Sequence, residues 1–96
     1  HKIAAARLTH PGDQEVIATG VANTIVYRDG KATGHATDGR GFRAWMRARH
    51  LGPGGGGVIL LGFGAAARSI AYQLGQHHPL TIVSRTPLSM IPSARA

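Results

Sequence analysis

The run Val58-Ile59-Leu60-Leu61-Gly62-Phe63-Gly64-Ala65-Ala66-Ala67, continued through Gly75 to Leu80-Thr81-Ile82-Val83-Ser84-Arg85-Thr86, decides the fold. Val58 to Leu61 is continuously apolar, the pattern of a parallel strand covered on both faces. Ala65 to Gly75 places Ala67, Ile70, Ala71 and Leu74 on one helical face, and Leu80 to Val83 reads as a second apolar strand. The turn between strand and helix fits G-x-G-x-x-G/A, and each small residue has its own mechanical reason. Gly62 permits the tight exit from the strand, Gly64 lets a pyrophosphate approach the backbone, and Ala67 allows the helix to pack close to the sheet. The free N–H groups and positive dipole end of the helix opening at Ala65 favour phosphate charge. A Gly-rich turn that binds nothing is the bland alternative. The strand before it, the amphipathic helix it opens and the strand that follows argue for a dinucleotide, with Gly62, Phe63, Gly64, Ala65, Ala66 and Ala67 as candidate contacts.

The end of the second strand narrows the choice of dinucleotide. NAD-preferring sites usually carry an Asp or Glu there for the ribose hydroxyls, whereas this sequence has Ser84-Arg85-Thr86. An acid would repel a 2′-phosphate. Arg85 attracts it by charge-assisted hydrogen bonding, and Ser84 and Thr86 add hydroxyl donors. The expected cofactor is therefore NADP, against the alternative of an arginine that is merely exposed at a strand end.

Immediately upstream, Gly52-Pro53-Gly54-Gly55-Gly56-Gly57 favours neither helix nor strand and marks a linker. Before it, Gly39 to His50 is helical in pattern. Phe42, Trp45, Met46 and Arg49 share one face and Arg40, Arg43 and Arg47 the opposite one, so the helix is expected to bury its aromatics and show those arginines. Val21 to Tyr27 is rich in β-formers, Arg28-Asp29-Gly30-Lys31 carries the Asp-Gly hairpin signal, and Ala32 to Ala36 is the expected returning strand. Lys2 to Leu8 is Ala-rich and helix-prone, Pro11-Gly12 breaks the chain, and a short helix is expected over Asp13 to Ala18 with Asp13 as its cap.

Composition agrees with a globular α/β protein and excludes several classes. Of 96 residues 43% are hydrophobic and 16% charged, so disorder is not indicated, while the length suits one small domain or parts of two. The absence of cysteine removes disulfides and thiolate metal sites and makes a reducing compartment, the cytoplasm, the expected location. No apolar run approaches the roughly 20 residues needed to cross a bilayer, so no membrane partner is expected. The formal charge of +7 favours anionic partners without choosing among them. Six histidines invite a metal, but His10, His35 and His50 are scattered, His77 and His78 are adjacent, and no acidic ligands stand at helical spacing, so no metal site is expected.

Taken in order, His1-Lys2, Val21-Ala22-Asn23-Thr24, Asp29-Gly30-Lys31, Thr37-Asp38-Gly39, Gly62 to Ala67 and Ser84-Arg85-Thr86 resemble the shikimate/quinate dehydrogenase family over most of the chain from Lys2 to Thr86. The resemblance implies the end of an α/β substrate domain over residues 1–38, a connecting helix and Gly-rich linker over 39–57, and the first βαβ unit of a Rossmann-type NADP-binding domain over 58–96. It further implies a hydride exchange between NADP(H) and the carbon bearing the 3-keto or 3-hydroxyl group of a polyhydroxy cyclic carboxylate. Lys2 matches the family's catalytic lysine and Asp38 the aspartate paired with it, both also touching substrate, and Asn23 matches the asparagine that fixes substrate hydroxyls. Hydride transfer needs a proton partner, which a lysine beside a carboxylate can supply when its surroundings tune it. Taken singly, Lys2 could be a solvated helix-end charge and Asp38 a helix cap.

Two departures from the family pattern stand out. Ala36 replaces the asparagine of Asn-Thr-Asp-Gly, and Ala22 replaces a valine before Asn23. The family's serine pair for the substrate carboxylate and its downstream tyrosine and glutamine have no counterparts, so the sequence reads as a portion of a longer protein, inactive alone, whose full-length form could be a homodimer. Two rival readings remain: a dehydrogenase-like binding or regulatory protein without turnover, and a basic nucleic-acid module built on Arg40, Arg43, Arg47, Arg49 and Trp45. The second is disfavoured because Trp45 is placed opposite most of the arginines, where it suits a core better than base stacking.

Overall fold

The computed structural model describes residues 1–52 and 56–85. Its elements run α1 (Lys2–Arg7), β1 (His10–Pro11), α2 (Gln14–Thr19), β2 (Thr24–Arg28), β3 (Lys31–His35), α3 (Asp38–Ala48), β4 (Val58–Leu61), α4 (Ala65–Gly75) and β5 (Leu80–Val83). The strands form two small sheets, one of order β1-β3-β2 and one pairing β4 with β5. The architecture is α/β, as the sequence indicates.

In the first sheet, β2 and β3 are antiparallel, with Thr24 opposite His35 and Arg28 opposite Lys31. Their turn holds Asp29 at φ 52° and Gly30 at φ 74°, the left-handed pair that a two-residue hairpin of this twist requires. β1, absent from the sequence reading, adds in parallel at the other edge of β3. Pro11 is tolerated there because an edge strand need not donate a ladder hydrogen bond. α2 starts as expected: the Asp13 carboxylate accepts from the Val16 N–H at 2.9 Å, and Gly20 ends the helix in the left-handed region. Val16, Ala22 and Ala36 form the buried cluster here, with Ala5 and Ala6 of α1 against it.

The second sheet is parallel, with Val58 opposite Leu80 and Leu61 opposite Val83. A parallel pair needs a crossover, which α4 supplies. Phe63, Ala71 and Ile82 make the core, joined by Leu60, Ala67 and Leu80. The expectation that β4 is covered on both faces is not met among the described residues. Alternate residues face away from α4, and Ile59 and Leu61 are 70% and 77% exposed. A continuously apolar strand anticipates two covering layers, and the described residues provide one.

α3 joins the two sheets and lies along α4. It does so on a face different from the expected one. Phe42 and Trp45 are exposed, at 38% and 48%, while Gly39 is buried and Arg43 and Met46 are half-buried. The reason is the contact at Gly39: a Cβ there would lie 2.1 Å from the Ser69 carbonyl oxygen. That approach fixes the rotation of α3 and turns its aromatic side outward, where Phe42 and Trp45 rings stand 5.9 Å apart and the Arg49 guanidinium lies 5.9 Å from the Trp45 ring.

Candidate active site

Three elements deliver three polar side chains to one place. Lys2 opens α1, Asn23 precedes β2, and Asp38 is the first residue of α3. Lys2 Nζ donates to Asp38 Oδ2 at 2.6 Å, and Asn23 Nδ2 donates to Asp38 Oδ1 at 2.6 Å, so both carboxylate oxygens are engaged. The Asn23 amide oxygen accepts from the Thr37 backbone N–H at 3.1 Å, which fixes the orientation of the amide, and also from the hydroxyls of Thr37 and Thr24. Backbone bonds hold the triad from behind: the Ala22 N–H donates to the Lys2 carbonyl at 3.0 Å and the Asn23 N–H to the His35 carbonyl at 2.9 Å.

Lys2 and Asp38 are each about one-third exposed, at 38% and 34% of the side chain, so they are reachable from solvent while partly shielded from it. The Lys2 ammonium, assisted by the Asn23 amide, holds the Asp38 carboxyl below the usual aspartate range against an opposing effect of partial burial. Asp38 is thus an anion at neutral pH and Lys2 has a fixed acceptor. Asp38 does not cap α3. Thr37 occupies the cap position and makes no side-chain cap bond, and the Asp38 carboxylate is turned to Lys2 and Asn23 instead. Ala36 is buried, its N–H donating to Asp13 Oδ2 at 3.1 Å and its carbonyl accepting from Arg40 at 3.0 Å. The position is closed into the core and its side chain offers nothing to a ligand.

A second constellation lies on α4. Gly62 has φ 91°, in the region that favours glycine, and its N–H donates to the Val83 carbonyl at 2.7 Å, stitching the turn to the end of β5. Added Cβ atoms at Gly62 and Gly64 would meet nothing within 4 Å among the described residues, so the backbone of the turn is open on that side. Gly64 is the cap residue of α4 and, among the described residues, no side chain caps the helix. Open backbone at a helix start with uncapped N–H groups fits a pyrophosphate. Ala65 and Ala67 are half-buried and Ala66 is exposed. The Phe63 side chain is buried in the core, with the Arg68 guanidinium 6.0 Å from its ring, so only its main chain lies with the turn. Because β4 and β5 are parallel, Ser84 and Arg85 leave the sheet at the same edge as this turn, Arg85 exposed and Ser84 half-buried. Thr86 lies outside the described residues. Among the described residues no group of His, Cys, Asp or Glu could hold a metal ion, and no helix is long and apolar enough to cross a membrane.

The two constellations are joined by residues that the sequence reading passed over. Glu15 and Ser69 are buried, at 4% and 2% exposure. The Ser69 hydroxyl donates to Glu15 Oε2 and accepts from the Gly39 N–H at 2.8 Å, and Gln73 Nε2 donates to Glu15 Oε1 at 2.8 Å. α2, α3 and α4 meet in this cluster. A lone Glu in a short amphipathic helix and a Ser inside a helix carry no sequence signal of such a contact.

No family model matches the chain. It is 36% identical over 88 residues to the shikimate dehydrogenase (NADP(+)) of Thermococcus kodakarensis, a match covering 91% of this chain and 32% of that protein. Among solved structures, it is similar to the shikimate 5-dehydrogenase of Thermus thermophilus in complex with NADP(H) and shikimate, with a TM-score of 0.76, 27% identity, and coverage of 90% of this chain and 33% of the other. It is also similar to a 5-ketofructose reductase of a Gluconobacter species, with a TM-score of 0.65, 32% identity, and coverage of 88% and 31%. The chain spans about a third of the length of the curated relatives it matches.

Proposed function

We propose, from a kinship with shikimate dehydrogenases that extends over about a third of their length, that the protein carrying this chain interconverts 3-dehydroshikimate and shikimate, or quinate and its 3-dehydro form, with NADP(H). The carrying observation is the Lys2 Nζ to Asp38 Oδ2 contact of 2.6 Å, with Asn23 on the other carboxylate oxygen. Residues 1–38 are the end of the substrate domain, 39–57 the connecting helix and linker, and 58–96 the start of the cofactor domain.

In this reading the nicotinamide, when bound, would supply hydride chemistry at the substrate carbon, and the chain's own residues manage the proton and the placement. Lys2 Nζ donates its hydrogen bond to the carbonyl oxygen and releases the proton as that oxygen becomes a hydroxyl. Asp38 remains ionised, stabilises the ammonium before transfer, and accepts from a neighbouring substrate hydroxyl. Asn23, its oxygen tied to Thr37, presents its amide N–H groups to the carboxylate and to substrate hydroxyls. The turn from Gly62 to Ala67 would hold the pyrophosphate on main-chain N–H groups, Phe63 included, while Ser84, Arg85 and Thr86 would hold the 2′-phosphate. Arginine suits this role through its fork of donors and permanent charge.

A second reading changes the substrate alone. Similarity to a 5-ketofructose reductase favours another polyhydroxy carbonyl compound at the same lysine and aspartate. Following NADPH absorbance in the full-length gene product with NADP+ and shikimate, with NADP+ and quinate, and with NADPH and 5-ketofructose separates these outcomes. Turnover of shikimate or quinate is expected. Turnover of 5-ketofructose alone favours the second reading, and cofactor binding without any turnover sinks the enzymatic assignment in favour of a binding or regulatory role.

A further inference from the structure

We propose that Ser69 is a positioning residue for the Lys2–Asp38 pair, holding the first turn of α3 against the helix that carries the dinucleotide turn. The proposal rests on the role given above to that pair. Four observations carry it. Ser69 lies on α4 two residues beyond Ala67, the last position of the glycine-rich turn. Its Oγ accepts from the N–H of Gly39, the residue next to Asp38, at 2.8 Å. Gly39 has no room for a side chain, since a Cβ would lie 2.1 Å from the Ser69 carbonyl oxygen. Finally, the Ser69 hydroxyl hydrogen is committed to Glu15, a 4%-exposed side chain whose second oxygen takes the Gln73 amide.

The direction of each bond follows from the inventory of donors. A hydroxyl has one hydrogen and two lone pairs, and a backbone N–H can only donate, so Ser69 gives its hydrogen to Glu15 and offers a lone pair to Gly39. The Gly39 N–H is one of the first-turn groups that a helix cannot satisfy internally. Thr37 makes no side-chain cap bond to α3, and the hydroxyl of a neighbouring helix meets that need in its place. Bonds in such a chain polarise one another in a buried setting, which strengthens the grip on Gly39. Lys2 and Asn23 hold the Asp38 carboxylate from the front, and Ser69 holds its backbone from behind. The cofactor helix and the proton-handling carboxylate are therefore one mechanical unit, and the Gly39 N–H to Ser69 Oγ bond with the close Gly39 approach is where the first turn of α3 is tied to α4.

The test follows the Asp38 carboxyl by NMR titration in the full-length gene product, beside kcat, KM and melting temperature, for wild type, Ser69→Ala, Ser69→Cys and Lys2→Ala. In Ser69→Ala the Asp38 titration is expected to move up toward the ordinary aspartate range. Turnover should fall by roughly ten- to a hundredfold, the penalty of a misplaced group, with KM for NADPH held. Ser69→Cys keeps a weak donor and acceptor and should shift the same way by less; it carries the test alone if Ser69→Ala does not fold. Wild-type Asp38 titration in whichever variant is folded overturns the proposal, even if its melting temperature falls. A shifted titration together with full activity in Lys2→Ala leaves the link intact and removes the catalytic reading of the pair.

Discussion

Asp38 is held by a cation on one oxygen and an amide on the other, and its carboxyl sits below the ordinary aspartate range chiefly because of the Lys2 hydrogen bond. A carboxyl whose folded pKa is depressed contributes stability that is full above its unfolded value and is lost as pH falls through the folded value. With both partners about one-third exposed, the contribution is screened and amounts to less than about 1 kcal/mol. Melting temperatures of wild type and Lys2→Met taken from pH 7 down through the acid range should therefore converge as Asp38 is protonated. A constant gap would show that what Lys2 contributes to stability does not come from its pairing with ionised Asp38. Arg85 supports a separate prediction: Arg85→Ala should weaken NADPH binding much more than NADH binding in a fluorescence titration, and an equal loss would contradict the 2′-phosphate assignment.

At the scale of elements, the decisive contact is α3 against α4 at Gly39. Gly39→Ala forces a Cβ toward a backbone oxygen that cannot swing aside. Overpacking of this kind costs about 1–3 kcal/mol. Thermal unfolding should show a clear drop in melting temperature, whereas the same change at Gly41, where a Cβ meets nothing within 4 Å, should not. The same contact explains what the sequence could and could not reveal. β4, α4 and β5 were legible because each position of the glycine-rich turn answers a local requirement, and the α2 cap was legible because Asp13 and Val16 are neighbours along the chain. The face of α3 was not: its pattern of Phe42, Trp45 and Met46 against the arginines suggests a buried aromatic stripe, and a tertiary approach at one glycine overrides it. Glu15 and Ser69 were silent for a related reason, since 54 residues separate them and neither type signals a partner. The meeting of Lys2, Asn23 and Asp38 came from resemblance to a family, because no spacing rule brings residues 2, 23 and 38 together.

Over the whole molecule, the described residues form two one-sided layers bridged by α3. The bare side of β4 and β5, with Ile59, Leu61 and Val83 all more than half exposed, and the exposed hairpin with Ile25 and Tyr27 leave apolar surface that a covering layer would bury. Burying it at about 25 cal/mol per Å² would add substantially to a small core. A lysine and aspartate at one sheet, a glycine-rich turn at the other and a buried polar cluster between them are the arrangement that the proposed proton-handling site beside a cofactor helix requires. Steady-state kinetics of Lys2→Ala in the full-length gene product, with NADP+ and shikimate, tests that arrangement most directly. Loss of a proton-transfer group lowers turnover by about 10²–10⁴-fold, so kcat should fall by that order while the KM for NADP+ stays close to wild type; an unchanged kcat would contradict the account.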